Sequence, residues 1–329
     1  MAVDGRGERH KAAFADTMTR EPQRSVGPDD AGADTAPALP PDAGAWSDTR
    51  PGAGVRRSLC VGVDDVGLHP GVNGAAVDLV LSGRVQALAC CVAAPHWPEV
   101  VEHLQRLRGL AVDIGLQLDL TRCTLDAGVR RPLRRHLLSL GLPRLDLLRR
   151  EIAAQFDAFE GALGQAPAFV AGFREVHQTP RVRELLLQEL ERRYPSGSRP
   201  WVRVAQRGGR GALPQGLRAW AAERSGAEAL AQGLNRLGVA RNRGLLGVYD
   251  FAGGTERYRE LLGQWLAQAR DGDLLICHPS LASVARDPLL AARQAEYKLL
   301  ASPEWPALLE RHDIELRPLA QLLARKTRG

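Results

Sequence analysis

Ser58-Leu-Cys-Val-Gly-Val-Asp-Asp-Val-Gly-Leu-His-Pro-Gly-Val-Asn73 is a short apolar run that ends abruptly in two adjacent carboxylates. Apolar and β-branched residues closed by Gly67 and Pro70 read as a buried strand and a turn, with helix resuming near Asn73. Asp64 and Asp65 then stand where a strand empties into a loop. In a parallel α/β fold that is the carboxyl end, where active sites are assembled. Neighbouring carboxylates repel unless something compensates them, so the pair calls for a divalent cation or a shifted pKa. The competing reading is a helix cap or a turn carboxylate.

Outward from this stretch, apolar runs alternate with amphipathic segments. Residues 87–94 form a buried strand, 97–108 an amphipathic helix after Pro95, and 111–120 a third strand. In that third strand Ile114, Leu116, Leu118 and Leu120 point one way, while Gly115, Gln117 and Asp119 share the other face, the interior of a closed barrel. A loop-rich insertion over 121–145, basic at Arg130, Arg131, Arg134, Arg135 and His136, is either a solvated loop or a place for an anionic group. Helix over 147–163 carries Ile152, Phe156 and Phe159 on one stripe. Strands at 168–172, 200–204, 244–253, 272–279 and 314–318 alternate with helices at 181–194, 217–237, 255–269, 289–300 and 303–311. Strands alternating with helices of this size imply a parallel sheet, either barrel or doubly wound.

Composition narrows the function classes. The chain has 329 residues, long enough for one large α/β domain, and its hydrophobic content of 44% supplies a sizeable core. Net charge is +6, but Lys occurs only at Lys11, Lys298 and Lys326, and the Arg residues are interleaved with Glu, Asp and Leu. With no long basic run, a nucleic-acid partner is not expected. Cys60, Cys90, Cys91, Cys123 and Cys277 lie mostly inside apolar runs without a Cys-x-x-Cys pair, as buried thiols of a reducing compartment do. Residues 1–56, rich in Asp, Ala, Gly, Pro and Arg without periodicity, read as a disordered extension before a single domain over 57–329. No apolar leader or run long enough to span a bilayer is visible, so a cytoplasmic protein is expected.

Three chemical features fall on strand ends: Asp64-Asp65, the polar loop holding Glu175 and His177, and His278 after the run Leu274-Leu-Ile-Cys277. A carboxylate pair and two histidines from separate strand ends is what a hydrolase needs to hold a metal or a water, a base and an acid. Taken singly, His177 and His278 each read more readily as a structural hydrogen-bonding group than as a catalytic one. Cys277 lies inside an apolar run and reads as an inert thiol. Gly208-Gly-Arg-Gly211 lacks the Lys-Ser/Thr of a phosphate-binding loop.

Four blocks in order carry a resemblance. Val63-Asp-Asp-Val-Gly-Leu-His-Pro-Gly-Val-Asn73, Gly115-Leu-Gln-Leu-Asp-Leu-Thr121, Ala171-Gly-Phe-Arg-Glu-Val-His-Gln-Thr-Pro-Arg-Val-Arg-Glu184 and Ile276-Cys-His-Pro279 resemble the motifs of the YdjC-like, or ChbG/HpnK-type, carbohydrate deacetylases. The resemblance implies a seven-stranded TIM-like (β/α) barrel of the polysaccharide-deacetylase type, and metal-dependent removal of an N-acetyl group from an amino sugar, glycan or glycolipid precursor. By that analogy Asp64 is the general base, Asp65 a metal ligand and His278 a group near the leaving amine. Asn73 and Asp119 become candidates for substrate contacts.

The sequence departs from the family pattern at the expected metal site. Gln117 stands where a histidine is expected, and the cluster segment carries Ala171, Phe173 and Glu175 in place of an aspartate and two histidines, leaving His177. Asp65, Gln117, Glu175 and His177 then make a harder, oxygen-rich ligand set for Mg, Mn or Zn, or the metal is lost. Two readings follow: a deacetylase using Asp64, Asp65 and His278, or a degenerate barrel that binds a carbohydrate or a partner enzyme without chemistry.

Overall fold

A computed structural model describes residues 56–138, 141, 143–206, 226–282 and 287–326. The expected disordered extension, the Gly208–Gly211 loop and the first half of the helix expected over 217–237 lie outside the described residues, apart from Arg56.

Among the described residues, eight strands form one parallel sheet: β1 (Arg57–Val66), β2 (Ala87–Cys90), β3 (Asp113–Leu118), β4 (Phe169–Gly172), β5 (Trp201–Val202), β6 (Leu245–Leu246), β7 (Leu274–Cys277) and β8 (Ile314–Leu316). Seven run in the order β5-β4-β3-β2-β1-β7-β6, and β8 pairs with β1. The two outer strands meet. Val202 bridges Arg241, its N–H donates to the Ala240 carbonyl at 2.9 Å, and Leu245 N–H donates to the Gln206 carbonyl at 2.8 Å. The Asn242 amide completes the seam, accepting from Val204 N–H at 2.7 Å and donating to the Val204 carbonyl at 3.0 Å. The sheet therefore curls into the expected TIM-like barrel.

Helices cover its outside: α1 (Pro70–Leu81), α2 (Trp97–Arg106), α3 (Leu133–Leu137), α4 (Leu145–Leu163), α5 (Pro180–Arg193), α6 (Ala227–Arg236), α7 (Gly254–Gln268), α8 (Leu290–Leu300), α9 (Glu304–Arg311) and α10 (Leu319–Lys326). Pro70 and Pro180 occupy first turns, where a missing N–H costs nothing. The stripe Leu148, Ile152, Phe156, Phe159 and Leu163 buries α4 against the sheet, and Gly164 in the left-handed region ends the helix.

Strand alternation sorts the apolar side chains into two layers. Leu59, Val61, Val63, Leu116 and Leu118 face the helices. Cys60, Ala87, Ala89, Phe169, Ala171, Trp201, Leu274 and Ile276 fill the barrel interior. The interior is tight: a Cβ at Gly115 would lie 2.3 Å from the Phe169 ring, itself stacked on Trp201 at 4.4 Å. Leu319, Leu322 and Leu323 of α10 close the N-terminal end. This helix, which follows Pro318, lies beyond the last element expected from sequence. Asp113 anchors it, its Oδ2 accepting from Ala320 N–H at 2.9 Å and Trp201 Nε1–H at 3.1 Å. Among the described residues no helix is long and apolar enough to cross a membrane.

Candidate functional site

Pairing of β1 with β2 matches Val63 to Leu88 and Val66 to Cys90, so Asp64 and Asp65 together oppose Ala89. Two residues against one is a bulge, a feature common beside active sites. It puts Asp65 at φ 66, in the left-handed region that non-glycine residues occupy at a cost. Pairing of β1 with β7 matches Val63 to Cys277, which sets His278 beside Asp64. The β4 exit is strained as well: a 3-10 turn, Phe173–Gln178, holds Arg174 at φ 51 and Glu175 at φ 57.

Every carboxylate brought together here meets a guanidinium. Arg203, on the backbone just after β5, donates from Nη1 to both oxygens of Asp64, at 2.7 and 2.8 Å. Its Nη2 donates to the Gly172 carbonyl at 3.0 Å and lies 3.0 Å from Glu175 Oε1. Burial lowers the Arg203 pKa, but the Asp64 and Glu175 charges raise it further, so it stays protonated. Asp65 Oδ2 accepts from Arg293 Nη2, on α8, at 2.5 Å. Burial would raise the Asp65 pKa, yet Arg293, and after it His278, hold it below the ordinary carboxylate value.

Gln117 bridges the two aspartates. Its Oε1 accepts from Asp65 N–H at 2.8 Å and from Cys91 Sγ at 3.2 Å, while Nε2 donates to Asp64 Oδ2 at 3.3 Å. His177 is fully buried, with Nε2 2.7 Å from the Arg203 carbonyl, which assigns the proton to Nε2. Burial depresses its pKa to about 3, so it is neutral. His278 is partly open. Its backbone N–H donates to Glu296 of α8, a buried carboxylate that also accepts from Tyr249 Oη at 2.7 Å. Phe251 meets the His278 ring edge-on at 5.0 Å.

The structure brings Asp64, Asp65, Gln117, Glu175, His177 and His278 to one end of the barrel, but it does not converge the expected metal ligands. Among the described residues no group of three or more His, Cys, Asp and Glu side chains is placed to hold a metal ion. The reason is visible at each position. Asp65 turns to Arg293, both ends of the Gln117 amide are taken, Glu175 turns to Arg203, and His177 Nε2 is bound to a backbone carbonyl. As arranged, these residues do not fit a divalent ion.

Asn73 and Asp119 have loop-organising places instead of open ones. Asn73 Oδ1 accepts from Gly67 N–H at 2.7 Å and Nδ2 donates to the His96 carbonyl at 3.0 Å, tying two strand-exit loops together. Asp119 accepts from the backbone N–H groups of Thr121, Arg122 and Cys123 and from the Thr121 hydroxyl, all within 2.9 Å. That folded loop displays Arg122 over the Phe173 ring at 5.9 Å. In the basic insertion, Arg134, Arg135, Leu138 and Gly141 line a surface recess, while His136 is buried.

Arg203 and Arg293 are the residues that sequence reasoning missed. Arg203 had a readable signal, since alternation in Pro200-Trp-Val-Arg-Val204 puts Trp201 and Arg203 on one face. Arg293 had none, being the single arginine of one amphipathic helix in an arginine-rich chain.

The family model described as YdjC-like protein matches residues 58–311. The chain belongs to the YdjC-like family. No curated protein matches this YdjC-like chain at a significant level. Among solved structures, one named for cellobiose-phosphate cleavage, from Enterococcus faecalis V583, superposes with a TM-score of 0.58 at 17% identity, covering 81% of this chain and 99% of that one. A family 4 acetyl xylan esterase from Clostridium thermocellum, in complex with a cobalt ion, gives a TM-score of 0.44 at 11% identity, covering 82% and 92%. The Xyl-CE4 domain of a xylanase from the Trinervitermes trinervoides hindgut metagenome gives 0.44 at 9%, covering 82% and 91%. At such identities the likeness concerns the fold of the YdjC-like barrel.

Proposed function

We propose that this YdjC-like barrel recognises an N-acetylated amino sugar or glycan at the carboxyl ends of its strands, without divalent-metal hydrolysis. The observation that carries the reading is the fate of Asp65. As the expected metal-binding carboxylate, it is bound to Arg293 at 2.5 Å, and Gln117, Glu175 and His177 are engaged elsewhere. Backbone strain at Asp65, Arg174, Glu175 and Phe251, all at strand exits, supports a preserved binding end, because such strain persists where the surroundings over-determine it. Half-buried Phe173, Tyr249 and Phe251 supply flat apolar faces for the C–H face of a pyranose, and Arg122 and His278 supply polar groups beside them.

The hydrolase reading has one observation in its favour, the register that sets His278 beside Asp64 as an acid beside a base. It lacks an electrophile for the amide carbonyl, since the donors expected to hold a divalent ion do not converge.

Titration calorimetry with N-acetylglucosamine and its short β-linked oligomers, run beside an acetate-release assay with and without added Mg, Mn or Zn, tests the proposal. Saturable binding with no acetate in any condition is expected. Metal-stimulated acetate release would overturn it in favour of the deacetylase, and absence of binding to every sugar would overturn it outright.

A further inference from the structure

We propose that the segment between β3 and α4 is a docking face for an anionic lipid bilayer, which its arginines and exposed leucines hold against the carboxyl rim of the barrel. Docking of this kind goes beyond sugar recognition and does not depend on it.

Charge in this segment is lopsided. Residues 121–138 carry five arginines, Arg122, Arg130, Arg131, Arg134 and Arg135, and one carboxylate, Asp126. That excess of four positive charges compares with a net +6 for all 329 residues. On other surface helices Arg106, Arg150, Arg192 and Arg257 each pair with a carboxylate one turn away. Among the described residues none of the five is in an ion pair. Arg130 Nη1 donates to the Arg122 carbonyl at 3.3 Å, and Arg131 Nη1 donates to the Gly128 and Arg130 carbonyls at 3.0 and 2.7 Å. Asp126 is itself turned to the Gly128 N–H at 2.7 Å. The positive field therefore faces outward without compensation from its own segment.

This charge has a fixed place. Val129, Leu133 and His136, at helical spacing, are buried, which turns Arg130, Arg134 and Arg135 outward. Arg131 N–H donates to the Leu120 carbonyl at 3.0 Å just past β3, and α3 packs on the turn that follows β4. The arginines thus stand on the rim where the strands end. Of the six large apolar side chains exposed among the described residues, Leu125 and Leu138 lie in this segment and Leu145 opens α4. Leu138 is 65% exposed and shares the surface recess of Arg134 and Arg135. Leu125 is held out on a pinned backbone, its N–H donating to Glu151 Oε1 at 2.8 Å.

Leucines displayed between unpaired arginines select the partner. A single-stranded nucleic-acid face would offer aromatic rings to the bases, and residues 121–138 contain no Phe, Tyr or Trp. An anionic bilayer matches both features: headgroup phosphates meet the guanidiniums, while the arginine stems and neighbouring leucines enter the boundary of the acyl layer.

The test is sedimentation of the full chain with vesicles of phosphatidylcholine, with and without about 30% phosphatidylglycerol. The wild type is expected to pellet only with the anionic vesicles, and to be released as salt rises from about 0.1 to 0.5 M. Reversing Arg134→Glu together with Arg135→Glu is expected to weaken binding at least about tenfold. Leu138→Asp, with every arginine kept, is expected to weaken it several-fold. Both sites are exposed, so the melting temperatures should stay near wild type. Arg106→Glu with Arg108→Glu makes the same change in net charge on exposed residues between α2 and β3, at the opposite end of the barrel, and is expected to bind like wild type. No sedimentation with anionic vesicles at low salt overturns the proposal. So does an equal loss in the Arg106/Arg108 control, which would reduce the effect to net charge, or full binding by Leu138→Asp. Binding to single-stranded DNA without binding to vesicles would overturn it in favour of a nucleic-acid partner.

Discussion

Arg203 Nη1 bridges both carboxylate oxygens of Asp64, at 2.7 and 2.8 Å, with both side chains closed to solvent. The same guanidinium reaches the Gly172 carbonyl and Glu175, so one cation ties the exits of β1, β4 and β5 together. A buried pair of this kind is weak evidence of net stabilisation, because desolvation offsets the attraction. Breaking it is another matter. Arg203→Met leaves the buried Asp64 without this bidentate partner and is expected to lower stability by about 3–5 kcal/mol in urea unfolding. The double variant Arg203→Met with Asp64→Leu should recover much of that loss, and a single-variant loss below about 1 kcal/mol would contradict the pairing.

Gln117 uses both ends of its amide in the site. Gln117→Leu has a similar volume but leaves the Asp65 N–H, the Cys91 thiol and one face of Asp64 unpartnered by the amide. A destabilisation of about 1–3 kcal/mol is expected, the cost of burying a donor without its acceptor. Equal unfolding midpoints for Gln117→Leu and wild type would show that the amide does not hold the bulge.

Gly172 is required by space, its φ of −128 being open to any residue. An added Cβ would sit 2.4 Å from His177 Nδ1 and 2.9 Å from its backbone nitrogen. The strained turn after β4 must then shift, carrying Glu175 away from Arg203. Gly172→Ala is expected to cost at least about 2 kcal/mol, in the range of overpacking in a closed core. Thermal unfolding checks it, and a melting temperature within a degree of wild type would contradict the crowding.

Asp113 supplies a pH dependence remote from the candidate site. Burial, partly offset by Ala320 N–H and Trp201, raises its pKa from 3.8 to about 6. An acid with a raised native pKa holds its proton more tightly when folded. Its contribution to stability therefore grows as pH falls from about 6 toward 4 and is lost as pH rises back through that window. The slope is at most about 1.4 kcal/mol per pH unit. In urea unfolding at pH 7 and pH 4.5, the wild type is expected to gain stability relative to Asp113→Asn at the lower pH. A difference unchanged between the two would mean Asp113 titrates normally.

The amino-acid sequence determined the barrel and the end of it at which Asp64, Asp65, Gln117 and His278 gather. Period-two alternation in 111–120 places Gln117 inside, the run from Ser58 ends in carboxylates at a strand exit, and Phe156 and Phe159 mark the helical face that covers the sheet. These patterns are local, set by side-chain direction along one element, and so are legible in one dimension. The helix α10 escaped because its apolar positions pack against strands far away in the chain. The occupant of the site was likewise decided only by the tertiary structure. Arg203 meets Asp64 across 139 residues and Arg293 meets Asp65 across 228. Their meeting depends on strand order, on the bulge at Asp64-Asp65 and on the seating of α8. A motif can show that two aspartates need a cation; only the closed barrel shows that the chain supplies it from its own arginines.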